Sequence, residues 1–128
     1  MAESLLPRLP LDPFPYDQDP RSRILDSTIA SGAYVYVRDS AGILHVLPDG
    51  PHLHPKILGG GLPATYAGEL TIINGVATEV TNCSGTFQFD EREGLRTIAQ
   101  QVTELGLHVG ERAVRFFPLD GGPIEILE

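Results

Sequence analysis

The sequence predicts an α+β domain: a small antiparallel β-sheet of hairpins, one amphipathic helix and an extended proline-rich N-terminal arm. Three observations predict it. Two runs of β-branched and aromatic residues flank turn residues near position 40, an Asn-Gly dipeptide sits between two further apolar runs, and apolar residues recur at helical spacing from 95 to 105. A chain of 128 residues has a common single-domain size and buries roughly two-thirds of the surface its unfolded form exposes. With 41% hydrophobic and 20% charged residues it matches folded domains, which argues against disorder throughout.

Residues 1–23 contain five prolines, Pro7, Pro10, Pro13, Pro15 and Pro20. Each removes an amide donor and biases the preceding residue toward extended backbone, so this stretch reads as an arm. Its apolar residues Leu5, Leu6, Leu9, Leu11, Phe14 and Tyr16 suit packing against the domain or a neighbouring subunit. The α+β domain is expected over 24–128, opening with a helical turn at 24–30. Residues 33–38 and 43–47 then form a hairpin about Asp39-Ser40-Ala41-Gly42. Residues 48–63 carry four prolines, His52, His54 and the run Gly59-Gly60-Gly61, and read as an irregular loop. Loops of that length are uncommon in compact domains and often functional.

Asn74-Gly75 favours a type I′ turn because both central residues need positive φ. A two-residue hairpin over 65–73 and 76–83 places Ile73 opposite Val76, Thr71 opposite Thr78, Glu69 opposite Val80 and Ala67 opposite Asn82. Side chains alternate along a strand, so Tyr66, Leu70, Ile72, Ala77 and Cys83 share the expected core face. Asp90 and Glu93 have capping-box spacing for a helix whose stripe is Leu95, Ile98, Ala99, Val102 and Leu105, and Gly106 suits its left-handed terminator. Residues 113–117 and 124–127 read as a last pair of strands.

Seventeen acidic residues against nine Lys+Arg give a net charge of −8, with the basic residues scattered. That field repels phosphate backbones and anionic lipid, so no nucleic acid and no membrane are expected as partners, and a basic protein is. The single cysteine, Cys83, excludes an intramolecular disulfide and cysteine-rich metal frameworks. A cytoplasmic location is expected, and neither a signal peptide nor a membrane-spanning run is visible.

His52 and His54 point to one side of an extended segment, with His45 upstream, yet no recognised metal-ligand spacing is present, and no metal or cofactor is expected. Cys83 as a nucleophile would need a base and an electropositive setting, and at a strand end it reads as a small buried hydrophobe. Gly59, Gly60 and Gly61 invite comparison with phosphate loops, but no Lys-Ser/Thr follows and Pro63 leads into a strand. Glu69, Asn82 and Ser84 lie on the face expected to point away from the core, within reach of His54 if the loop folds back. His54, Glu69 and Ser84 are therefore the candidate catalytic residues, and His52, His54, Gly59, Gly60, Gly61 and Asn82 the candidate binding residues.

The series His54-Pro55-Lys56-Ile57-Leu58-Gly59-Gly60-Gly61, Ala67-Gly68-Glu69, Asn74-Gly75 and Asn82-Cys83-Ser84-Gly85-Thr86-Phe87 resembles a module of bacterial polymorphic-toxin and effector proteins and of plant IQ-motif calmodulin-binding proteins. There a His-Ser-Ser pattern, a glycine-rich turn, Ala-Gly-Glu, a hairpin turn and Ser-Gly-His-Tyr precede a helix. His54, Glu69, Ser84 and Gly85 match. Pro55-Lys56 stands in place of the paired serines and Thr86-Phe87 in place of His-Tyr, and there is no basic IQ-type helix. The resemblance implies the order loop, hairpin, helix and a bacterial conflict or effector setting. The function expected from these readings together is a non-enzymatic bacterial protein-binding module, immunity-like or accessory. The alternatives are a small enzyme using His54, Glu69 and Ser84, and a small-ligand-binding domain using the glycine loop.

Overall fold

The computed structural model describes residues 7–9, 17–49, 54–84 and 87–127. They form a mixed α+β fold, mostly β, in which eight strands share one sheet and two helices pack on it. The strand order is β1 (Arg23–Ile24), β3 (Leu44–Pro48), β2 (Gly32–Arg38), β4 (Tyr66–Ile73), β5 (Val76–Thr81), β7 (Val114–Phe116), β8 (Glu125–Ile126), with β6 (His108–Val109) also beside β5.

Strands β2 (Gly32–Arg38) and β3 (Leu44–Pro48) pair antiparallel across the turn at Asp39. The Asp39 carboxylate closes that turn by accepting from the amides of Ala41 and Ile43, both at 2.9 Å. Strand β1 (Arg23–Ile24) adds to the outer edge of β3. Where a helical turn was expected over 24–30, the chain leaves β1 through a side-chain turn: Asp26 accepts from the amide and hydroxyl of Thr28. An Asp able to satisfy the backbone locally competes with helix formation.

Strand β4 (Tyr66–Ile73) pairs with β2 on one side and with β5 (Val76–Thr81) on the other. Asn74 and Gly75 adopt φ of 50° and 78° between β4 and β5. The register departs from the simple two-residue pairing. Ile73 faces Val76 and Ile72 faces Ala77, but Thr71 faces Glu79 and Leu70 faces Val80, so Thr78 is the extra residue of a bulge. The bulge moves Val80 onto the face of Leu70 and away from Glu69.

Residues 48–63 are not wholly irregular, because a short helix, α1 (His54–Leu58), lies within them. Its last carbonyls find donors in the described part of the arm. Asp19 N donates to Lys56 O, and the Gln18 amide and Ser22 hydroxyl both donate to Ile57 O. Left-handed φ values at Gly59, Gly60 and Gly61 then turn the chain, and a Cβ on Gly59 would stand 2.5 Å from Gln18 N.

Helix α2 (Arg92–Glu104) follows β5 and returns the chain to β6 (His108–Val109) and β7 (Val114–Phe116), both parallel to β5. The sheet is therefore mixed and not purely antiparallel, since a helical crossover brings the chain back to the end from which β5 started. Strand β8 (Glu125–Ile126) closes the sheet antiparallel to β7. The expected capping box does not form: Glu91 is the N-cap, without a side-chain cap bond, and the Asp90 carboxylate accepts instead from the amide of Leu119.

The sheet buries residues on both faces. Tyr36, Val46, Tyr66, Leu70, Ile72, Ala77 and Val80 share one face with Leu95, Ile98 and Val102 of α2. Val35, Val37, Leu47 and Ala67 share the opposite face, which α1 covers through Ile57. Arg38 and Gln101 tie α2 to the first hairpin, with Arg38 Nε donating to Gln101 Oε1 and the Gln101 amide donating to Gly42 O.

Candidate functional site

The site begins with a close approach of two strands. A Cβ on Gly68 would stand 1.8 Å from Thr81 O, so only glycine lets β4 and β5 come together there. Thr81 O accepts from the buried Tyr36 hydroxyl at 2.6 Å, while Thr81 Oγ1 accepts from the amides of Glu69 and Cys83. Gly68 O in turn accepts from His54 Nε2 at 2.8 Å. A carbonyl can only accept, so Nε2 carries the proton in the neutral ring. His54 is thus bonded to the carbonyl of Gly68, and Glu69 is the next residue in sequence.

Burial lowers the His54 pKa below its ordinary value, against the opposing effects of the bond to Gly68 O and then of the Asp49 carboxylate. Glu69 moves the other way. Partial burial raises its pKa, and the carboxylates of Asp49 and Glu79 raise it further. Glu79 pairs with Arg115 at 3.2 Å. Among the described residues no cation lies at ion-pair distance from Asp49 or Glu69. Asp49, at the end of β3, and Glu79, brought opposite Thr71 by the bulge, are the members that sequence reasoning missed. Asp49 left a signal in its position two residues beyond the β-branched run, whereas Glu79 left none without the bulge.

The other candidates are placed elsewhere. Asn82 is buried, not exposed: its amide donates to Phe89 O and Phe117 O at 2.9 and 3.0 Å, and its carbonyl accepts from Phe117 N at 2.7 Å. It joins the end of β5 to the end of β7 and the approach to α2. Ser84 Oγ accepts from the amide of Phe87 at 3.1 Å and makes no described bond to His54 or Glu69. Cys83 is half-buried, its thiol pKa raised by burial and by the Glu69 and Glu79 carboxylates against the opposing Thr81 hydroxyl. That field disfavours a thiolate. His45 bonds to Asp39 at 2.8 Å, and His52 lies outside the described residues. Among the described residues no group of three His, Cys, Asp or Glu side chains is placed to hold a metal ion, and no helix is long and apolar enough to cross a membrane. No family model, curated protein or solved structure matches the chain.

Proposed function

We propose that the chain is a non-enzymatic protein-binding module that presents Asp49, Glu69 and Glu79 to a basic partner, as an immunity-like or accessory protein of a bacterial toxin or effector system. The carrying observation is the Glu69 carboxyl, pushed up by burial and by two neighbouring carboxylates with no described cation against it. A lysine or arginine arriving from a partner relieves the repulsive part of that shift, which supports a cationic occupant. The net charge of −8 adds long-range attraction for the same chemistry. Two of the three candidate catalytic residues have other occupations: His54 holds Gly68, and Ser84 holds the turn to Phe87. The bacterial setting rests on the resemblance of the His54 to Phe87 stretch, and the cytoplasmic location on the single cysteine.

Capture from the native cell tests this reading with two baits, the wild type and an Asp49→Asn/Glu69→Gln variant. A basic protein retained by the wild type and lost by the variant is the expected result. Recovery of no partner, or equal retention by both baits, contradicts it.

One observation favours an enzyme as the second reading: His54, bonded to Gly68 O, and Glu69, the next residue along, have their pKa values shifted in opposite directions, the pattern of an acid–base pair. If His54→Gln and Glu69→Gln each abolish biological activity while leaving the fold and partner capture intact, that reading replaces the first.

A further inference from the structure

The arm contributes a second recognition geometry, independent of the carboxylates around Glu69. Arg8 N donates to Ala64 O at 2.7 Å and Ala64 N donates to Arg8 O at 2.8 Å, so Arg8 pairs antiparallel with Ala64, just before β4. The Arg8 guanidinium donates to Gln88 O at 2.6 Å and to Glu91 Oε2 at 3.0 Å, and it lies 5.0 Å from the centre of the Phe89 ring. Phe89 stacks on Tyr66 at 5.0 Å, and both rings belong to the core, so the platform under the cation is rigid. A carboxylate, a directed carbonyl and an aromatic face together select a planar guanidinium over an ammonium.

We propose that this seat is an arginine-peptide binding site, held in cis by the chain's own arm and open to an extended, arginine-bearing segment of another protein. Arg8 itself specifies the occupant: a short extended strand that pairs with Ala64 and places one guanidinium over Phe89. The seat can exchange. The Arg8 and Glu91 side chains are 45% and 46% exposed, and exposed pairs hold weakly. The arm keeps its place through its tether, which supplies an effective concentration of roughly millimolar order. A segment with further contacts elsewhere on the acidic surface can displace it.

A fluorescent peptide of residues 4–12 of this chain, titrated into the whole chain carrying Arg8→Glu, tests the site. The added carboxylate repels Glu91 and vacates the seat. The peptide is expected to bind this variant at least about tenfold more tightly than the wild type, whose own arm competes. Replacing the peptide's arginine with alanine, or adding Glu91→Gln to the protein, is expected to remove the gain. Equal affinity for both proteins, binding to neither, or a gain that survives loss of the arginine or of Glu91 overturns the proposal. Arg8→Ala provides the same comparison if Arg8→Glu unfolds less cooperatively. A wild type that dimerises with concentration, beside an Arg8→Glu variant that stays monomeric, overturns it in favour of arm exchange between copies.

Discussion

Gly68 is the residue at which chain geometry and the candidate site meet. Adding a single methyl would bring a Cβ to 1.8 Å from Thr81 O and 2.8 Å from the Tyr36 hydroxyl, and backbone cannot yield that far without parting β4 from β5. Gly68→Ala is therefore expected to lower the unfolding free energy by about 3 kcal/mol or more, measured by urea denaturation. His54 gives a second residue-scale prediction. Burial lowers its pKa in the fold, so the unfolded chain takes up the proton first, and stability present above the ordinary value of 6.5 is lost as pH falls below it. Glu69 acts in the opposite sense, because its raised folded pKa removes stability as pH climbs from 4.5 through the raised value. Comparing two variants isolates the histidine. In a Glu69→Gln background, stability is expected to fall between about pH 7.5 and pH 5.5, and adding His54→Gln should flatten that fall, since glutamine can still donate to Gly68 O. Equal slopes in the two proteins would assign the pH dependence to other groups.

The elements differ in how much of themselves the sequence displays. The Asn74-Gly75 turn and the Leu95, Ile98, Val102 stripe are legible because each depends on residues close in sequence. The bulge at Thr78 is not, since pairing across β4 and β5 is fixed by the Gly68 contact with Thr81 at the far end of the hairpin. Helix α1 is hidden for a related reason. Five residues with a proline make a poor isolated helix, and among the described residues its carbonyls at Lys56 and Ile57 are satisfied by Gln18, Asp19 and Ser22, some 35 to 39 positions earlier. At the candidate site, His54 and Glu69 are candidates from the sequence alone, and the structure bonds His54 to the carbonyl of Gly68, the residue before Glu69, while the carboxylates that set the Glu69 environment needed the folded sheet. Asp90 shows how local spacing misleads: it has the position of a cap, but its carboxylate bonds to the amide of Leu119. Asp90→Ala should leave helix content by circular dichroism unchanged, cost about 1 kcal/mol, and speed exchange of the Leu119 amide. Asn82 joins three elements through three bonds. Its replacement by alanine should cost about 3 kcal/mol, because buried partners at Phe89 and Phe117 lose their bonds, and Asn82→Asp should not rescue them, having no amide to donate.

Across the whole molecule the covering of the sheet decides where function can reside. Helix α2 packs across one face and α1 over part of the other, leaving Glu69, Thr71 and Glu79 half-buried beside the end of β3 at Asp49. On the proposed reading, the net charge of −8 makes that region attractive to cations before contact, and Asp49 and Glu69, with no cation at ion-pair distance among the described residues, make it selective on contact. Both effects weaken with salt, and neutralising those two side chains removes the second while leaving most of the first. The most direct measurement is the affinity of a basic protein captured from the native cell for the wild type and for Asp49→Asn/Glu69→Gln over a range of salt concentrations. The account predicts binding roughly tenfold weaker for the variant at low salt, with a shallower salt dependence. Equal affinities, or a wild-type affinity indifferent to salt, would contradict it.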